Sequence, residues 1–151
     1  MNIVEETLGD LIQEPAHVGF VVTDLEEAVA RAQHLYGFTP DDVEYQPPAG
    51  VDAPTRFAFF SVAGLQFEYI EPASEHFKAL MLGEACGAGG INHLAWRVSD
   101  IELAVVRLAD RGIAPGYVTP DGIVQIGAKR MVYLDPATTG GLLVELLQYP
   151  D

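Results

Sequence analysis

The chain has 151 residues, of which 49% are apolar and 20% are charged, so it is long enough and apolar enough to fold as one compact globular domain. Its formal net charge of −14 opposes binding to nucleic acid, which depends on clustered lysine and arginine side chains. The sequence lacks an apolar run of bilayer length and a secretory signal at its N-terminus, so we expect a soluble, cytoplasmic protein without a membrane partner.

The first part of the chain predicts a short N-terminal extension followed by a βαβββ module. Residues 1–14 precede the periodic pattern and are expected to form a surface arm or a partner contact. Residues 15–72 then predict a strand, a helix, a Pro- and Gly-rich stretch and further strands. His17 lies on the first strand and Glu68 on the last, and Asp24 has the capping-box spacing of a helix start.

The second part of the chain predicts the same order again. Residues 73–90 are predicted to form a linker with a short helix and a Gly-rich connector, and residues 91–151 are predicted to repeat the strand, the helix and the later strands. His93 lies on the first strand of this copy and Glu145 on the last, and Ser99 is the predicted N-cap. The sequence therefore predicts an α+β protein in which two βαβββ modules pair into one curved mixed sheet.

Four metal-capable residues occupy matched positions in the two modules. His17 corresponds to His93 at an offset of 76 residues, and Glu68 corresponds to Glu145 at an offset of 77. Both glutamates interrupt apolar strands, where an unpaired carboxylate would be costly to bury. Cys86 is the only cysteine, so a metal would need imidazole and carboxylate ligands. The repeat thus predicts a single divalent-metal site formed by the two histidines and the two glutamates.

Other polar residues are separate candidates. An isolated histidine is more often structural than a ligand, and His34 and His76 have no counterpart in the other module, so both are predicted to lie on the surface. Arg97 is predicted to share a strand face with the second histidine, where it could hold an anionic substrate group or pair with a carboxylate. Lys129 and Arg130 open a later strand and are further substrate-binding candidates, with salt bridges at the end of the sheet as the alternative.

The segments INHLAWRVSDIELAVVRLADRGI and KRMVYLDPATTGGLLVELLQYP resemble the vicinal oxygen chelate superfamily, which contains glyoxalase I, extradiol dioxygenases, resistance proteins and methylmalonyl-CoA epimerases. Within it the chain is most similar to the epimerases. The resemblance covers nearly all residues from Ala16 onward. It implies a glyoxalase-like fold around a metal site, one divalent ion such as Co, Ni, Zn or Mn at the four matched positions, and a homodimer.

The resemblance also implies a reaction, the epimerisation of methylmalonyl-CoA or a related acyl-CoA through an enediolate-type intermediate. In this chemistry a base removes the proton α to the thioester and returns it. Glu145 is one candidate base, and Glu44, in the segment before the second strand, is a candidate for the other. Two alternatives stay open, a glyoxalase I-like lyase and a non-catalytic binding or resistance protein. An iron(II) dioxygenase is disfavoured because such a site normally has one carboxylate and open positions.

Overall fold

A computed structural model describes residues 7–82 and 90–151 of the chain. Each module contains a strand, a helix and three further strands, and a short helix lies between the modules. The elements are β1 (Ile12–Val21), α1 (Leu25–Tyr36), β2 (Glu44–Gln46), β3 (Thr55–Val62), β4 (Leu65–Pro72), α2 (Glu75–Met81), β5 (Ile91–Val98), α3 (Ile101–Ala109), β6 (Val124–Ile126), β7 (Lys129–Tyr133) and β8 (Val144–Gln148), with a 3₁₀ turn at Pro40–Asp42. The predicted α+β class and the repeated βαβββ order are confirmed.

The chain divides into two compact units. The N-terminal unit is His17–Asn92, and the C-terminal unit combines the chain up to Ala16 with His93–Asp151. Each unit contains one histidine-bearing strand that runs parallel to the glutamate-bearing strand beside it, while its other strand pairs are antiparallel. In each unit a helix packs on one face of the strands, and the side chains of the histidine and the glutamate lie on the other face.

In the N-terminal unit the strand order is β2-β3-β4-β1, and α1 covers one face of these strands. Leu25 and Val29 are buried in α1 and pack against Ala58 of β3. The carboxylate of Asp24 caps the helix by accepting a hydrogen bond of 2.9 Å from a backbone amide of the first turn. The helix ends at Gly37, whose φ of 84° is a left-handed conformation that glycine adopts without strain.

In the C-terminal unit the strand order is β5-β8-β7-β6, and α3 packs on the face opposite the histidine. This interface is the largest described apolar core, with the buried side chains Val98, Ile101, Ala104, Leu108, Val132, Leu134 and Leu146. Trp96 packs against it, as the alternation along β5 predicts. The helix therefore anchors the strands that carry His93 and Glu145.

The N-cap of α3 is Asp100, and the prediction of Ser99 was wrong. The Asp100 carboxylate accepts a hydrogen bond of 2.9 Å from the backbone amide of Leu103. Asp100 is also the residue that matches Asp24 in the repeat. Ser99 instead donates its own backbone N–H to the carbonyl of Leu11 at 2.9 Å. Because two good N-cap residues adjoin, spacing alone selected the wrong one.

The described residues before β1 contribute to the core of the C-terminal unit, whereas the sequence predicted a surface arm or a partner contact for residues 1–14, of which residues 1–6 lie outside the described residues. Leu11 is only 6% exposed and packs among the apolar side chains of that core. Arg107 of α3 donates hydrogen bonds to the carboxylate of Asp10 at 2.6 Å and to the carbonyl of Thr7 at 3.3 Å. The segment is therefore fastened to α3 by both apolar and charged contacts.

The linker begins with the predicted short helix. The hydroxyl of Ser74 caps α2 by accepting a hydrogen bond from the amide of Phe77. The predicted Gly-rich connector, including Cys86, falls on residues 83–89 and lies outside the described residues. His34 and His76 are exposed, as predicted. Within the two described ranges, every helix is too short or too polar to cross a bilayer.

Candidate metal centre

His17 and Glu68 form a buried pair in the N-terminal unit. In the parallel ladder of β1 and β4, Glu68 lies opposite Gly19, so His17 is diagonal to it, two residues earlier on the same face. The Nε2 atom of His17 lies 3.4 Å from Oε2 of Glu68, and their side chains are 4% and 6% exposed. The ladder thus holds an imidazole and a carboxylate together away from solvent.

His93 and Glu145 form the equivalent pair in the C-terminal unit. Glu145 lies opposite Ala95 in the ladder of β5 and β8, and His93 is again two residues earlier. Here Nε2 of His93 lies 3.0 Å from Oε2 of Glu145, and the side chains are 0% and 3% exposed. The two units therefore place a histidine and a glutamate in the same diagonal register.

The chemistry of each pair fits a divalent metal ion. A carboxylate buried to this degree needs a compensating cation or proton, because the cost of removing its charge from water is several kcal/mol or more. Imidazole nitrogen and carboxylate oxygen together suit borderline divalent ions. The buried histidines and glutamates can therefore hold a metal, and the donor set leaves its identity open.

Two tyrosines adjoin the second pair and were not among the predicted site residues. Tyr133 of β7 lies opposite Glu145 in the ladder, and its ring meets that of His93 edge to face, with centroids 5.2 Å apart. Tyr117 meets Tyr133 in turn at 5.2 Å, although its own φ of 58° is unusual for a residue other than glycine. Strand alternation could place Tyr133 on a face, but its neighbours depend on the β7–β8 register.

The structure places Glu44 on the same face as Glu68. Glu44 lies opposite Phe59 in the ladder of β2 and β3, and Phe59 lies opposite Glu68 in the ladder of β3 and β4. This row puts one aromatic side chain between the two carboxylates. Glu44 is exposed and accepts a hydrogen bond of 2.8 Å from the amide of Gln46.

The cationic candidates divide between the two faces of the C-terminal unit. Arg97 lies on the His93 face, where it donates to Glu14 at 3.3 Å and its guanidinium sits 5.0 Å from the centroid of the Tyr149 ring. Lys129 opens β7 on the face that Tyr133 occupies, since the two residues are separated by an even number of positions.

Arg130 lies on the opposite face, toward α3. It donates a hydrogen bond of 2.7 Å to Glu102 in the first turn of that helix. Arg56 makes the corresponding ion pair with Glu26 in the first turn of α1. The hydrogen bond from Arg56 lowers the pKa of the Glu26 carboxyl, and the same contact raises the pKa of the Arg56 guanidinium. Both arginines thus make salt bridges to the first turn of a helix, which for Arg130 was the stated alternative to substrate contact.

Comparison with known proteins finds one matching family profile and several similar proteins that are named as methylmalonyl-CoA epimerases. The sequence profile of the glyoxalase/bleomycin resistance protein/dioxygenase superfamily matches residues 16–133. The chain is 32% identical to the ethylmalonyl-CoA/methylmalonyl-CoA epimerase of Cereibacter sphaeroides over 134 residues, which are 87% of this chain and 95% of that protein. It is 29% identical to the mitochondrial methylmalonyl-CoA epimerase of Homo sapiens, with 87% and 72% of the two chains covered.

Solved structures of epimerases have a similar fold. The methylmalonyl-CoA epimerase of Mycobacterium tuberculosis superposes with a TM-score of 0.69 at 24% identity, covering 94% of this chain and 91% of that one. A selenomethionine form of a methylmalonyl-CoA epimerase gives a TM-score of 0.67 at 27% identity, covering 94% and 99%. An epimerase in complex with methylmalonyl-CoA and NH₄⁺ gives 0.69 at 21% identity, covering 91% and 95%.

Proposed function

Because the chain belongs to the glyoxalase/bleomycin resistance protein/dioxygenase superfamily, we propose that it is a metal-dependent epimerase of methylmalonyl-CoA or a closely related acyl-CoA. The observation that carries the proposal is the repeated buried pair, His17 with Glu68 and His93 with Glu145, in one and the same diagonal register. Relatives named for this activity span most of the chain and support the choice of substrate class. The resemblance to the epimerases alone suggests a homodimer.

The two pairs are proposed to hold one divalent ion, taken from Co, Ni, Zn and Mn. Two carboxylates balance its charge of 2+, and two imidazoles complete a four-ligand set. When bound, the ion supplies positive charge that stabilises the charge developing on the thioester oxygen as the neighbouring C–H bond breaks. Leu147 lies two residues after Glu145 and Ile70 two residues after Glu68, on the same strand faces, and both are buried. Such apolar neighbours would limit the access of water to the developing charge on the substrate.

Epimerisation needs a proton to leave one face of the carbon and a proton to arrive on the other, so two bases are expected. We assign these roles to Glu145 and Glu44. Glu145 is buried beside His93 and would exchange a proton at its carboxylate oxygen. Glu44 is supported by its place in the row with Phe59 and Glu68, and its described partner is a neutral amide. A neutral partner leaves its carboxylate available to accept a proton.

An acyl-CoA carries several negative charges, and the net charge of −14 repels it at long range. Local cations are therefore needed at the site. We assign this role to Arg97 and Lys129, which lie on the same strand face as His93 and Tyr133 respectively. Arg130 is left out of the assignment because Glu102 already pairs with it on the other face.

The deciding experiment measures hydrogen exchange at C2 of methylmalonyl-CoA in D₂O. Protein loaded with Co²⁺ or Zn²⁺ should incorporate deuterium and interconvert the two epimers, and protein stripped by a chelator should do neither. Glu145→Gln should lower the rate by about 10² to 10⁴, the usual contribution of a general base. If loaded protein exchanges no deuterium but converts the hemithioacetal of methylglyoxal and glutathione, the lyase alternative replaces the epimerase. Binding without turnover of either substrate would leave the non-catalytic alternative.

A further inference from the structure

In each unit, the strand that carries the glutamate has a second polar side chain near its end. This side chain accepts a hydrogen bond from the first residue of the helix that follows the histidine strand. In the N-terminal unit, Oε2 of Glu71 accepts a hydrogen bond of 2.7 Å from the backbone amide of Leu25, the first residue of α1. In the C-terminal unit, Oε1 of Gln148 accepts one of 2.9 Å from the amide of Ile101, the first residue of α3. Gln148 also donates from Nε2 to the carbonyl of Ser99 at 3.0 Å.

An arginine from the neighbouring antiparallel strand completes each arrangement. Arg56 pairs with Glu26 in the first turn of α1 and reaches the carboxylate of Glu71 at 3.4 Å. Arg130 pairs with Glu102 in the first turn of α3 at 2.7 Å. We call the two sets brackets. The N-terminal bracket contains Glu26, Arg56 and Glu71, and the C-terminal bracket contains Glu102, Arg130 and Gln148.

Each bracket joins the two chain segments that carry one histidine and one glutamate. Glu71 follows Glu68 by three residues and Gln148 follows Glu145 by three, so the bracket residues point to the helix side of the strands. The backbone amide that each one binds lies eight residues after the corresponding histidine. The bracket is therefore a second connection between the histidine strand and the glutamate strand, located beyond the ladder that they share.

Such a connection matters because parallel strands have no tight hairpin to fix their register. A slip of two residues would keep every side chain on its face but would displace a glutamate by about 6.5 Å along the strand, far more than the spacing within a ligand pair allows. On the basis of the proposed metal function, we propose that the brackets are positioning devices that hold each glutamate in register with its histidine. Glu71 and Gln148 act through the backbone and touch neither the ion nor the substrate.

The difference between the two brackets provides matched variants. Glu71→Gln gives the N-terminal unit the acceptor that the C-terminal unit already uses, and it should keep the metal affinity of the parent. Gln148→Glu keeps an acceptor for the amide of Ile101 but loses the hydrogen bond to the carbonyl of Ser99, and it should also keep the parent affinity because the bond to the helix is retained. Glu71→Ala and Gln148→Ala remove the acceptor and should weaken the affinity for Co²⁺ or Zn²⁺, at most by the roughly 10- to 100-fold that follows the loss of a group bonded directly to a metal ligand. Affinity is measured by competition with a chelator, and the geometry of bound Co²⁺ by its visible absorption spectrum.

Controls separate positioning from a general loss of helix stability. Asp24→Ala and Asp100→Ala remove caps from the same two helices but leave the strand connections intact. These variants should unfold at lower denaturant concentrations while they keep the parent metal affinity and Co²⁺ spectrum. If Glu71→Ala fails to fold, Glu71→Asp, whose shorter side chain falls short of the helix, replaces it.

The outcomes distinguish this inference from the function on which it rests. A parent protein that binds neither Co²⁺ nor Zn²⁺ would remove the proposed function itself. A parent that binds metal, together with alanine variants of unchanged affinity and spectrum, would overturn the positioning role alone. Cap controls that weaken metal binding as much as the bracket variants do would also overturn the positioning role.

Discussion

At the scale of single residues, the two proposed bases differ most in their exposure to solvent. The side chain of Glu145 is 3% exposed and lies against His93, whereas Glu44 is exposed and accepts a hydrogen bond from the neutral amide of Gln46. Glu145 is also a proposed metal ligand, so its replacement affects both binding and proton transfer. Glu44 is not, which makes it the cleaner test of a two-base mechanism.

Glu44→Gln should stop the interconversion of the epimers while the protein still exchanges deuterium into one of them. The remaining base can remove and return a proton on its own face, but no group then serves the other face. NMR of each isolated epimer in D₂O measures both quantities. Metal affinity should stay at the parent value, and full interconversion by the variant would exclude Glu44 as a base.

Glu26→Gln should lower stability at neutral pH and leave it nearly unchanged in acid. The pKa of Glu26 is lowered in the folded protein by the hydrogen bond from Arg56. A lowered folded pKa means that the carboxylate stabilises the protein above its unfolded pKa of 4.5 and that this contribution is lost as the pH falls through the folded value. Because the side chain is 57% exposed, the loss should be only about 0.2–1 kcal/mol. Urea unfolding at pH 7 and pH 3 measures it, and equal losses at both would contradict the assignment.

At the scale of elements, the loop between α3 and β6 depends on one close backbone approach. A β-carbon on Gly116 would lie 2.5 Å from the β-carbon of Asp135 and 2.7 Å from its α-carbon. The Gly116 amide and carbonyl are both hydrogen-bonded here, to the carbonyl of Tyr133 and to Thr119. The loop therefore cannot make room without giving up bonds to the strand beside the second ligand pair.

Gly116→Ala should destabilise the protein by about 1–3 kcal/mol, because the added methyl group meets the α- and β-carbons of Asp135, which can move only with the backbone. Denaturant unfolding measures the change. Gly90→Ala is the matched control, since a β-carbon there meets nothing within 4 Å and its φ is not in the left-handed range. Equal stability of the two variants would contradict the close approach.

The repeat predicted the order of the elements and the strand faces, because hydrophobic periodicity and the duplicated His and Glu positions are local properties of the sequence. It did not predict the brackets, since nothing near Glu71 or Gln148 in sequence reveals that a helix start lies beside it. The contact of Tyr133 with His93 was missed for the same reason, because it depends on strand register. Alternation alone placed Arg97 on the correct face.

At the scale of the whole molecule, the segment before β1 extends the apolar core of the C-terminal unit. Leu11→Ala should therefore cost about 2–5 kcal/mol, the usual range for a buried leucine. Leu35→Ala is the control, since Leu35 is 72% exposed and its loss should change little. Thermal unfolding followed by circular dichroism compares the two. A Leu11 variant as stable as the Leu35 variant would show that the segment contributes little to the core.

The position of Trp96 gives the protein a built-in optical probe. It is the only tryptophan of the chain and packs against the core of the C-terminal unit, while the described aromatic contacts of the N-terminal unit involve phenylalanine, tyrosine and histidine. Its fluorescence emission should therefore report the unfolding of the C-terminal unit, whereas far-ultraviolet circular dichroism reports the loss of secondary structure in both units. Coincident melting curves would show that the halves unfold in one cooperative step, and separate curves would show that each half has its own transition.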